Sequence, residues 1–472
     1  MTVLHPGMQL GMSLNPTLLT GTTTASGISV ARALPDMYLR NGDPDALRKL
    51  GLPPTAAAQY RSKNNIVFDR WFREHPGAQA QAYLPRRVFA ERFIRDLLGM
   101  RASSAQFDHT QVNGVDRVLL DNQGRADPRK SQLIWQEGQE RPSQPLYNKL
   151  LNNTGLAIHE ANALIDKVTT TLKTLYPDTV IPIQILQGAL VMVLNHDPEP
   201  RDMLGWPNAA AVDVPNALGM MLFGMLRAPG EHALFYNPAE AFTVLWHELG
   251  HLLNNMLHGP SPYTSLSGAI NEAFADLFSL FVQQKLQNGN QPLPVPTAEG
   301  AWKKWGVGLD FLKPYIQEGS DTRRDAMIRH FVDSAYEGHP LMGDDGALHL
   351  WPGMNVSEIE QASADFQETL NMDEGGVHIL AAPINHAHYH MIMKQDRMVE
   401  PVLLIFSVAR AIAKTAGIYN MDLHSLAWLE IHAAKALFGD ETASMVRSVW
   451  EDTMKVNGEK LNQDLPEARL LG

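Results

Sequence analysis

One stretch constrains this chain more than any other. Residues 241–278 read AFTVLWHELGHLLNNMLHGPSPYTSLSGAINEAFADLF. It holds His-Glu-Leu-Gly-His at 247–251 and, some twenty residues on, Asn271-Glu272-Ala273. On a helix, His247 and His251 project from one face, one turn apart, so both imidazoles can reach a common point. Two nitrogens placed this way suit one zinc ion, with bonds of about 2.0–2.1 Å each. Glu248 is offset around the same helix, near enough to meet a water on the metal without ligating it.

An amphipathic helix whose histidines bond neighbouring carbonyls would carry the same five letters. The flanks argue against it. Phe242, Val244, Leu245, Trp246, Leu249, Leu252 and Leu253 leave the helix apolar on most sides, which predicts burial. Two histidines and a glutamate buried there need partners, and a metal supplies them. Glu272, on a second apolar segment over 269–282, is the expected third ligand. Asp276, one turn further, is placed to accept a hydrogen bond from a ligand imidazole and fix its tautomer.

Three separated blocks, in order, carry a family resemblance. HELGH and SGAINEAFADLF resemble the two ligand helices of the thermolysin-like zinc metalloproteases, and Asp373-Glu374-Gly375-Gly376-Val377-His378 resembles their DNGGVH segment. Weaker matches run from about residue 112 to the C-terminus. The resemblance implies an α+β fold of two lobes, β-rich then α-helical, with the zinc cleft between them. The implied division is an N-terminal region over 1–104, a β-rich catalytic lobe over 105–258 ending in the zinc helix, and a helical lobe over 259–472. Implied catalytic groups are Glu248 as general base, with His378 and Tyr263 donating to the developing oxyanion. Tyr263 stands nine residues before Glu272, the family's spacing, and Asp373 would hold His378 charged and oriented. Substrate backbone would lie along Asn208 and Ala209 on an edge strand, with Arg329 reaching a substrate carbonyl. Val244 and Ile328 fall where the family places the pocket for the residue after the scissile bond, so bulky apolar side chains are expected there.

Composition limits the alternatives. At 472 residues two or three domains are expected. A formal net charge of −12 argues against a nucleic-acid partner. The chain has no Cys, which excludes disulfides and thiolate chemistry. Its first residues, MTVLHPGMQLGMSLNPTLLTG, lack the basic and apolar regions of a conventional signal peptide, and no later run suits a membrane span. The expected location is therefore the cytoplasm, or outside the cell by a non-classical route. Because the resemblance begins only after it, the region over 1–104 reads either as an ordinary N-terminal domain or as an inhibitory prosegment of the protealysin type, which a cut near Arg101 to His109 would release. Expected partners are a peptide or protein substrate and that prosegment.

Elsewhere the pattern predicts a first strand over 115–121, a helix over 156–176, a β-rich stretch over 180–193 and helices over 402–416, 423–438 and 441–456. His386, His388 and His390 read as surface groups or as groups behind the metal ligands. One departure from the family concerns calcium. Where the family's paired calcium site has acids, this chain has Thr243 and Gln283, so that site is expected to be absent. Asp344-Asp345-Gly346 reads as an acidic turn. Two other classes share these features: a zinc aminopeptidase, for which no amine-anchoring GAMEN motif is found, and a catalytically silent binding protein, which the intact Glu248, Tyr263 and His378 disfavour.

Overall fold

A computed structural model describes residues 115–137, 139–177, 183, 186, 188–197, 209–212, 219–225, 238–259, 263, 265–296, 304–308, 329–331, 373–418 and 421–453. The N-terminal region read as a prosegment, its cutting site, Asn208, Ile328 and Asp344-Asp345-Gly346 lie outside them.

Five strands form a mixed sheet. They are β1 (Val115–Arg125), β2 (Gln132–Gln136), β3 (Gly188–His196), β4 (Ala209–Val212) and β5 (Gly219–Gly224), in the order β2-β1-β3-β5-β4. The central pairs β1/β3 and β3/β5 are parallel, while β2 and β4 add antiparallel edges. Central β3, GALVMVLNH, is a nearly continuous apolar run, as a strand covered on both faces requires. It starts at Gly188, later than the β-rich stretch read from sequence, and runs on to His196.

Helix α1 (Pro145–Leu175) packs over the sheet. It begins eleven residues earlier than its apolar spacing indicates, because Pro145 at the first turn presets the helical φ and lacks only an N–H that would have no partner there. Arg117 ties the layers together. Its Nε donates to Glu137 Oε2 at 2.7 Å and its Nη1 to the Leu151 carbonyl at 2.5 Å, with Arg117 and Glu137 both buried.

From Phe242 onward the described chain is mainly helical: α2 (Phe242–His258), α3 (Ser265–Gln287), α4 (Asp373–Lys394), α5 (Val399–Ala416), α6 (Leu423–Phe438) and α7 (Asp440–Ser448), closed by a π turn over Val449–Thr453. A short ribbon, β6 (Gly306–Val307) with β7 (Arg329–His330), joins them. One apolar core runs unbroken from Val115 and Met192 in the sheet to Phe406 and Trp450 in the helices. Helix α2 lies between the sheet side and the helical side, packing on α1, β4, α3 and α5. The two-lobed α+β architecture expected from the sequence is the one observed.

Two glycines set helix spacing. A Cβ on Gly250 would stand 2.7 Å from Ala275 Cα, and one on Gly268 would stand 2.3 Å from Val377 Cγ1. Only a bare backbone lets α2 approach α3, and α3 approach α4, this closely. Gly375 and Gly376 are helical residues within α4, rather than the sharp approach to His378 that a glycine pair invites.

Candidate metal and catalytic site

The close approach at Gly250 brings the middles of α2 and α3 together. His247 and His251 face Glu272 across the seam, and all three are buried. The two histidine Nε2 atoms are 3.0 Å apart. His247 Nε2 lies 3.4 Å from Glu272 Oε2, and His251 Nε2 lies 3.3 Å from Glu272 Oε1. A tetrahedral ion with bonds of about 2.05 Å separates its ligands by roughly 3.3 Å. The donor set therefore fits zinc in type, with two imidazoles and a carboxylate, and in spacing. Among the described residues this is the one cluster of three or more metal-type ligands.

Behind His247, Nδ1 meets Asp276 Oδ1 at 2.8 Å. Asp276 is held in turn by Asn385, whose Nδ2 donates to Oδ2 at 2.9 Å. The bond that the i+4 spacing of Glu272 and Asp276 anticipates is thus formed, and its second support comes from α4. Behind His251 the partner is Asn271, whose Oδ1 lies 3.2 Å from Nδ1. Sequence reasoning gave Asn271 no role. The signal was its place directly before Glu272, which turns its side chain toward α2.

Glu248 is fully buried on α2 beside the pair. Tyr263, in the loop before α3, donates its hydroxyl to Glu272 Oε1, and its ring stands edge-on to His251 with centroids 6.3 Å apart. Here the tyrosine touches a ligand carboxylate. His378, one turn into α4, reaches the same carboxylate from the other side, with Nε2 3.4 Å from Glu272 Oε2. Tyr263, His378 and the two histidine ligands thus converge on the Glu272 carboxylate. Ala209 lies on β4, the sheet edge next to α2, as an edge-strand reading requires. Arg329 begins β7, while its side chain and that of Asp373 fall outside the described set.

Of the three neighbouring histidines on α4, His388 is a correction. His388 is fully buried, with Nε2 2.9 Å from Glu430 Oε1, and Trp450 Nε1 donates to the other oxygen at 2.9 Å. It belongs to the helical core. His386 and His390 approach each other, Nε2 to Nε2, at 3.1 Å, because residues four apart share a face. At the calcium positions, Thr243 Oγ1 accepts from the Gly308 N–H at 3.0 Å, and Gln283 is buried.

No described helix is long and apolar enough to cross a membrane. Compared with curated proteins, the chain has no match. It is similar to a solved structure, the precursor of protealysin, a metalloproteinase from Serratia proteamaculans. Identity is 16%, 76% of this chain and 96% of that one are covered, and the TM-score is 0.47. Residues 262–454 match the family described as the thermolysin metallopeptidase alpha-helical domain. That segment holds Tyr263, Glu272 and His378, and the paired histidines of α2 stand immediately before it. Over residues 262–454, then, the chain carries a domain similar to the alpha-helical domain of the thermolysin metallopeptidases.

Proposed function

We propose that this protein is a zinc-dependent endopeptidase. The convergence of His247, His251 and Glu272 at 3.0–3.4 Å carries the reading. When bound there, zinc supplies a Lewis-acid centre that acidifies water and polarises a carbonyl. His247 and His251 present their Nε2 atoms and Glu272 its carboxylate as ligands, while Asp276 and Asn271 orient the two rings.

Glu248 is the general base. Its carboxylate takes the proton of the attacking water and delivers it to the leaving amine. His378 and Tyr263 donate toward the carbonyl oxygen as negative charge builds there. For Tyr263 this requires its hydroxyl to leave Glu272 when substrate enters, a short swing for a loop residue. Asp373 holds the His378 ring charged and oriented. An extended peptide adds to the β4 edge at Asn208 and Ala209, where main-chain hydrogen bonds fix its register. Arg329 reaches a substrate carbonyl on the primed side, and Val244 with Ile328 favours a bulky apolar side chain at the residue directly after the scissile bond.

Residues 1–104 act as the inhibitory prosegment, and the acid-poor Thr243 and Gln283 positions leave the paired calcium site unbuilt. The deciding experiment measures zinc content and cleavage of an internally quenched peptide, comparing wild type with Glu248→Ala. Zinc retained with hydrolysis lost is expected. Hydrolysis that survives the substitution would remove Glu248 from the reaction, and a wild type without zinc would remove the reading as a whole.

A further inference from the structure

The polar path leading away from His251 continues beyond Asn271. Asn271 Oδ1, which faces His251 Nδ1, also accepts from Asn254 Nδ2 at 2.7 Å. Asn254 Oδ1 accepts from Arg410 Nε at 2.9 Å. Arg410 comes from α5, 156 residues away in sequence, and its side chain is fully buried. It forms no salt bridge to a described carboxylate, and its two terminal nitrogens have no hydrogen-bond partner among the described residues. Burial pushes its guanidinium down to about 9.

A buried arginine held through a single neutral amide is costly. Its one bond nonetheless has a defined direction. A guanidinium only donates, so Asn254 must turn its oxygen toward Arg410. Its nitrogen then faces Asn271, which must answer with an oxygen, since two amide nitrogens would oppose each other. That same oxygen faces His251. The ring must therefore carry its proton on Nδ1, so that Nε2 turns its lone pair toward the ligand position. An asparagine pair alone could flip as a unit and reverse every bond. The donor-only group at the far end removes that freedom.

We propose that Arg410 is a positioning residue for the metal centre, acting through Asn254 and Asn271 to hold His251 in its metal-binding tautomer. The inference rests on the zinc reading above. It makes a demand that packing alone does not: the direction of each bond matters, and the size of each side chain does not.

Two nearly isosteric substitutions separate the alternatives in the full-length protein, read by zinc affinity in chelator competition and by the melting temperature of the zinc-free form. Asn254→Asp pairs well with Arg410 but only accepts, so Asn271 must turn its nitrogen toward both the introduced carboxylate and His251. Zinc affinity is expected to fall roughly tenfold to a hundredfold, with a zinc-free melting temperature at or above wild type. Asn271→Asp keeps acceptors toward both neighbours and is expected to bind zinc at least as tightly as wild type. Equal zinc affinity in Asn254→Asp and wild type, or equal weakening by both substitutions, would overturn the proposal.

Should Asn254→Asp also destabilise the zinc-free protein, a second pair decides. Arg410→Lys keeps a donor-only group and is expected to retain affinity, whereas Arg410→Gln permits the flip and is expected to lose about tenfold. Equal affinities in that pair would also overturn it. Failure of the zinc reading looks different: His251→Ala would then bind zinc as wild type does.

Discussion

His247 Nδ1 lies 2.8 Å from Asp276 Oδ1, across the seam between α2 and α3. An acceptor at that distance makes the ring carry its proton on Nδ1 and turns Nε2 toward the ligand position. Asp276→Ala removes the acceptor and leaves the ligand itself in place. Zinc affinity is expected to fall roughly tenfold to a hundredfold, measured by competition with a chelator. An unchanged affinity would show that the ring is oriented by packing alone.

Glu248→Gln keeps the shape of the side chain and abolishes its basicity. A fall of roughly 10²–10⁴-fold in kcat/KM is expected, with zinc content unchanged. Steady-state cleavage assays beside metal analysis on the same preparation check both halves of this statement.

Gly250→Ala places a methyl group 2.7 Å from Ala275 Cα, a backbone atom that cannot swing aside. The helices must separate, which costs about 1–3 kcal/mol as an overpacked core contact. Because His247, His251 and Glu272 lie across the same seam, zinc affinity is expected to fall with the melting temperature. Thermal unfolding with and without added zinc tests this.

His196, at the end of β3, supplies a pH dependence of its own. It accepts from Asn122 Nδ2 at 3.0 Å, and burial pushes its imidazole down to about 4. Between pH 6.5 and 4 the unfolded chain takes up a proton that the folded protein refuses, so stability falls as the solution is acidified across that window. The full effect is about 3 kcal/mol, reached near pH 4 and constant below it. His196→Gln retains an acceptor for Asn122 without the titration. Its melting temperature is expected to fall less steeply than wild type from pH 7 to pH 4.5.

What could be read in the sequence was what local spacing encodes. The i+4 pair at 247 and 251, the carboxylate in its own apolar helix and the acid one turn beyond it all lie on two adjacent elements, so periodicity alone places them together. The alternating start of β1 and the apolar stripes of α5 and α6 were legible for the same reason. Partners contributed from a distance were not. Asn385 supports Asp276 from 109 residues away, and Arg410 reaches Asn254 from 156. Spacing alone marks neither: Asn385 stands among the histidines of α4, and Arg410 is a single charge in the apolar middle of α5. The burial of His388 was missed likewise, because its partner Glu430 stands on another helix and resembles any surface acid.

The seam between α2 and α3 has a consequence for how the protein handles ions. Leu249, Phe274 and the Gly250–Ala275 contact close it with apolar packing that owes nothing to a bound cation. The spacing of the three donors is therefore set by helix-to-helix contact. A substitution that widens the seam therefore alters the ligand spacing even though it replaces no ligand.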